Sequence, residues 1–134
     1  MTMPVRHLVL VAVLAALLAP MAATAGEVIA HPSVDLSPDE IRDVFLGEKQ
    51  LSGHLTLVPV DNSALQTEFL AKILQTDARK YAARWTKKSF REGLSAPAVK
   101  GSDAEVISFV RSTPGAIGYI TGGTPAGLRI LEKF

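Results

Sequence analysis

Cysteine is absent from the 134 residues, which excludes disulfide scaffolds, thiolate zinc sites, cysteine nucleophiles and CxxC redox chemistry. An excess of one charge is lacking as well. Arg6 is the only ionised side chain before Glu27, and from Gly26 onward 13 basic residues face 13 acidic ones. That balance excludes a polybasic nucleic-acid binder. The usual signatures of catalysis and metal binding are also missing. There is no GxSxG elbow, Ser63 has no His adjacent in sequence, and no HxxxH or HxH spacing occurs. His31 and His54, with Asp35 and Asp61, form only a scattered set of metal or acid-base candidates. The chain therefore reads as non-enzymatic, with no metal site and no cofactor. It shows no internal repeat, low-complexity tract or second domain.

What the chain does have is one apolar run, at its start. Of the first 25 residues 19 are apolar, against 64 in the whole chain, which leaves 45 of 109, an ordinary globular share, for the rest. Arg6 and His7 precede an unbroken apolar stretch at 8–18, Pro20 ends it, and Ala23-Thr24-Ala25 supplies the small-x-small pattern of a signal-peptidase site. Eleven residues of helix rise about 16 Å, roughly half a hydrocarbon core, so the stretch fits a cleaved signal better than an anchor. The expectation is a secretory signal at 1–25, a periplasmic domain at 26–134, and membrane association only if the signal stays uncleaved.

From Gly26 the pattern alternates short strands with capped helices. Residues 27–31 are β-prone and closed by Pro32. Ser37-Pro38-Asp39-Glu40 is a capping box with Pro at the first helical position, and Ile41, Val44 and Phe45 form the buried stripe of a helix that stops at Gly47. A turn at Gly53-His54 leads into a strand over 55–60, expected to be buried on both faces. Ser63 with Gln66 reads as a second capping box, followed by Leu65, Phe69 and Ile73 at helical spacing. Asp77 caps a third helix over 78–91, ended by Gly93. On that helix Tyr81, Ala82 and Trp85 share one flank, while Lys80, Arg84, Lys87, Lys88 and Arg91 fall within an arc of about 100°. Residues 95–101 read as a loop, Ser102 to Glu105 as a third capping box with Val106, Ile107 and Val110 as core, and 116–120 and 128–131 as strands. Gly115 and Gly118 suit close backbone approach. The sum is a mixed α/β sheet flanked by helices.

Two places could bind something. At Asp61-Asn62-Ser63 a strand feeds a helix, whose first N–H groups, on Ala64, Leu65 and Gln66, and positive dipole end could hold an oxyanion; Ser63 could equally cap those donors itself. The basic face of the third helix could meet an acidic partner or anionic headgroups, or be a solvated face balanced by Asp35, Asp39, Glu40, Asp43 and Glu48.

Leu36-Ser37 with Glu40-Ile41 and Val44-Phe45-Leu46-Gly47, then Pro59-Val60-Asp61-Asn62-Ser63 with Phe69, Trp85 with Phe90 and Gly93, and Pro114-Gly115-Ala116-Ile117-Gly118-Tyr119 together resemble the phosphate-binding proteins of ABC importers. The resemblance implies a type II periplasmic-binding-protein fold, in which two α/β lobes close on an oxyanion. Here 109 residues suffice for about one lobe. Of the family's anion loop only Asp61 and Ser63 match, so the implied ligand site is Asp61, Asn62 and Ser63 with the backbone donors of Ala64, Leu65 and Gln66 that follow. Yet Pro59 stands where the family has Arg, Ala64 where it has Gly, Leu65 where it has Thr, and Leu51 where it tends to have Trp. A lost guanidinium removes a charge-assisted contact of about 1.5–3 kcal/mol. The implied function is an exported solute-binding-like protein for phosphate or another oxyanion, related to ABC phosphate import. The alternative is an envelope protein-interaction module that has lost ligand binding. Either a homodimer mate or another envelope protein supplies the second wall, or the lobe has been repurposed.

Overall fold

The computed structural model describes residues 24–134. The expected signal's basic start and apolar run lie outside the described residues.

Strand β1 (Glu27–Ala30) sends Val28 and Ala30 to one face of the sheet and Ile29 to the other, the period-2 alternation of a strand covered on both sides. It lies antiparallel to both of its neighbours, β6 (Ala116–Ile120) and β7 (Arg129–Lys133). Strand β4 (Val58–Asn62) runs parallel to β6 on one side and to β5 (Ala98–Lys100) on the other. The sheet order is β5-β4-β6-β1-β7, a mixed sheet of five strands. Helices α1 (Pro38–Phe45), α2 (Gln66–Phe69) and α3 (Ala78–Glu92) cover one face, and α4 (Asp103–Ser112) covers the other. The expected mixed α/β architecture is the one observed.

Local chemistry explains most of the boundaries. The Glu40 carboxylate accepts from both the Ser37 N–H and hydroxyl at 3.0 Å, holding the start of α1. Asp77 accepts from the Lys80 N–H at 2.9 Å at the start of α3, and Ser102 from the Glu105 N–H at 3.2 Å at the start of α4. The larger core joins Phe45, Phe69, Tyr119 and Phe134, with Phe69 stacked on Tyr119 at 3.9 Å between ring centroids. The smaller core sets Val106 and Val110 of α4 against Val60, Ala116 and Ile120. Gly118 is where these layers meet: a Cβ there would lie 2.6 Å from Val106 Cγ1 and 3.1 Å from Val60 Cγ2.

Five local expectations are corrected. The strand over 55–60 is two pieces, because the Leu57 N–H bonds back to Gln50 O while the Val58 N–H moves on to Gly115 O, both at 2.9 Å. The first piece, β3 (Leu55–Thr56), pairs with β2 (Leu51–Ser52) in a hairpin turned at Gly53, whose φ is +64°. The stretch 95–101 contains β5, which extends the sheet edge beside β4. The Ser63/Gln66 capping box does not form; α2 starts later and passes into a π-helical turn, Leu70–Leu74. Ala82 is exposed, so Tyr81 and Trp85 alone anchor α3. The last strand begins one residue later than expected and runs on to Lys133.

Candidate functional site

Strand β4 delivers Asp61 and Asn62 to the middle of the molecule, where both are buried. Asn62 organises the turn that follows. Its Nδ2 donates to Asp103 Oδ1 at 2.8 Å and to the Tyr119 carbonyl at 3.0 Å, and its Oδ1 accepts from the Ala64 N–H at 3.0 Å. Its backbone carbonyl accepts from the Leu65 N–H at 3.0 Å, and the Ser63 N–H donates to Lys100 O at 2.9 Å. Asn62, through an Asx turn, thus does the work expected of Ser63. The expectation of free donors at this helix start is corrected for Ala64 and Leu65, whose N–H groups the chain's own oxygens occupy. Ser63 and Ala64 reach the surface, Leu65 is buried and Gln66 is half-buried.

Asp61 was expected to line a ligand site, but it faces the core. Tyr119 Oη donates to its Oδ1 at 2.8 Å and Tyr81 Oη to its Oδ2 at 2.9 Å. Burial pushes its pKa above the ordinary carboxylate value, and hydrogen bonds from Tyr119, Tyr81 and Gln66 offset only part of that. The same burial, reinforced by the neighbouring carboxylate, raises both tyrosines far above the usual phenol range. Neither tyrosine was singled out as a partner of Asp61 from sequence; they lie 20 and 58 residues away, and only the fold brings them together. Pro59 lies opposite Ile117 in the β4–β6 register.

The scattered His and Asp candidates stay apart. His31 Nδ1 bonds to the Ser33 hydroxyl at 2.7 Å after β1, whereas His54 sits exposed at the β2–β3 turn. Among the described residues, no three His, Asp or Glu side chains are grouped as metal ligands.

The basic face of α3 has a definite shape. With the C-terminal end of α1 and the π-helical turn it bounds a groove of about 610 Å³, lined by six Lys or Arg and by Glu48 and Glu92. Both carboxylates are partly spoken for: Glu48 Oε1 pairs with Arg84 at 3.0 Å and Lys88 at 2.9 Å, and Glu92 with Lys88 at 3.3 Å. The cations hold the Glu48 carboxyl below the usual range, Lys88 foremost. At the groove's lip Gln75 takes a left-handed conformation, φ 55° and ψ 45°, and its Oε1 accepts from Arg42 Nη1 at 3.3 Å. Sequence periodicity had found the cations of α3, but not the opposing wall.

No protein-family model and no curated protein sequence matches the chain. Solved structures do. An ABC-type phosphate transport receptor from Vibrio cholerae superposes with a TM-score of 0.51 at 13% identity, covering 81% of this chain and 46% of the receptor. This chain shares its mixed α/β fold with part of that receptor. PstS from Borrelia burgdorferi gives a TM-score of 0.49 at 16% identity, covering 72% of this chain and 40% of that one. The chain thus spans less than half the length of either receptor, and the likeness is one of fold.

Proposed function

We propose that this chain is an exported, non-enzymatic binding-protein lobe that acts by contact with another protein of the cell envelope rather than by capturing an oxyanion alone. The observation that carries the reading is the hydrogen bonding after β4. The Ala64 and Leu65 N–H groups are already paired within the chain, and Asp61 is buried beneath two tyrosines. A single lobe would also leave any anion facing water on one side, where solvent competes for hydrogen bonds and ions screen charge. The oxyanion reading draws support from the phosphate receptor named among the structural neighbours. It keeps Asp61, Asn62, Ser63, Ala64, Leu65 and Gln66 as the site, and it requires Asn62 to release the Ala64 and Leu65 N–H groups.

Titration of the ¹⁵N-labelled protein with inorganic phosphate and sulfate decides between them. The contact reading expects no saturable amide shift at residues 64–66 up to millimolar anion. Saturable shifts centred there, weakened by Ser63→Ala, would overturn it in favour of oxyanion binding.

A further inference from the structure

We infer that the groove between α1, the π-helical turn and α3 is a docking site for an acidic polypeptide segment of a partner protein, an inference that rests on the contact reading and names its surface. Lys80, Arg84, Lys87 and Arg91 recur at i, i+4, i+7 and i+11 and so line one side of the groove over about 16 Å of helix. That length matches about five residues of extended chain, or three turns of a helix presenting carboxylates at the same spacing. Arg42 faces them from α1, held there by Gln75. Six cations against two carboxylates leave the groove strongly positive, although the domain from Gly26 onward is neutral.

Charge complementarity therefore selects an acidic occupant, and shape selects a polypeptide. A volume of about 610 Å³ is far more than a small oxyanion fills. A bilayer surface is flat and cannot enter a groove whose walls also carry Glu48 and Glu92. Phe90, one turn from Lys87 on α3, is 91% exposed, and Ala83, seven residues earlier on the same side of the helix, lines the groove. Lys80, Lys87 and Arg91 make no ion pair among the described residues, which leaves their charge for the partner.

The test uses a twelve-residue polyglutamate peptide as probe, with amide shifts followed on the ¹⁵N-labelled protein in low salt. Saturable shifts are expected along α3 from Lys80 to Arg91 and at Arg42 and Gln75. Affinity should fall at least tenfold in the Lys80→Glu, Lys87→Glu, Arg91→Glu triple variant, and at 300 mM salt, but not in an Arg129→Ser, Lys133→Ser control. Unchanged binding by the triple variant, or shifts spread over the whole surface, would overturn the inference. So would co-sedimentation with phosphatidylglycerol vesicles that the peptide fails to displace, which would assign the groove to a lipid surface. A concentration-dependent dimer lost in the triple variant would assign it to a second copy of this chain. Failure here leaves the contact reading standing on some other surface, whereas phosphate binding at residues 64–66 would remove that reading without touching the groove result.

Discussion

Asp61 shows how far a side chain's environment can depart from what its type suggests. Each tyrosine hydroxyl bonded to the carboxylate contributes about 1.5–3 kcal/mol, yet the pKa is still raised, so desolvation outweighs both bonds together. A carboxyl whose folded pKa lies above its unfolded value binds more protons in the native state. Its contribution to stability is complete below the ordinary carboxylate pKa and is lost as pH rises through the raised folded value. Half-buried Glu40 and exposed Glu48 are shifted the opposite way, Glu40 chiefly by the Ser37 backbone and Glu48 chiefly by Lys88, and they oppose this trend in the intact protein. A difference measurement removes them. Urea midpoints of the wild type and Asp61→Asn, compared from pH 3 upward, should show the wild type losing stability relative to the variant as pH rises above the carboxylate range. A gap independent of pH would mean that the carboxylate is not desolvated. Sequence offered no route to this pairing, since the Asp-Asn-Ser run looks the same whether its acid points outward or inward. What decides is the distant Tyr81 and Tyr119.

At the scale of elements, legibility followed local chemistry. Helices α1, α3 and α4 could be read because each carries its own start signal, Ser37, Asp77 or Ser102, and an apolar stripe at helical spacing. Strand β6 could be read from its apolar run between Gly115 and Gly122. The misread elements take their identity from contacts far off in sequence. Strand β5, only three residues long, exists through its parallel pairing with β4, and the break at Leu57 comes from a change of backbone partner. The π-helical turn, ended by Gln75 in a left-handed conformation, has no residue signature of its own. Of the two glycines expected to allow close backbone approach, Gly115 does so against Thr56 O, whereas Gly118 is crowded by side chains, and its role can be measured. Val106 and Val60 are β-branched and stiff at χ1, so they cannot swing clear of an added methyl group. Gly118→Ala should cost about 1–3 kcal/mol in urea unfolding. Adding Val106→Ala should recover part of that loss, because it removes the methyl group at 2.6 Å. If the double variant is less stable than the additive sum, the layers do not meet at Gly118.

For the whole molecule, the start of the described fold bears on the expected signal. The Gly26 N–H donates to Phe134 O at 2.9 Å and the Phe134 N–H returns a bond to Gly26 O at 2.9 Å, so pairing with β7 begins at the first residue after the expected cleavage point. Ala25, the residue before it, already packs against the larger core. A protease needs exposed, extended chain, which the folded domain does not offer there. Cleavage at the expected point would therefore have to precede closure of the β1–β7 edge, and would leave that edge intact, since a terminal amine at Gly26 still donates to Phe134 O. Among the described residues no helix is long and apolar enough to cross a membrane. Expressed with its own N-terminus in a host with a periplasm, the chain should yield a product that begins at Gly26, read by intact mass of the periplasmic fraction. Leu14→Arg, which interrupts the apolar stretch at 8–18, should leave the uncleaved chain in the cytoplasm. A full-length mass in the membrane fraction of the wild type would replace the cleaved signal by an anchor. With so little chain between Ala23 and the paired Gly26, that anchor would hold the domain against the bilayer.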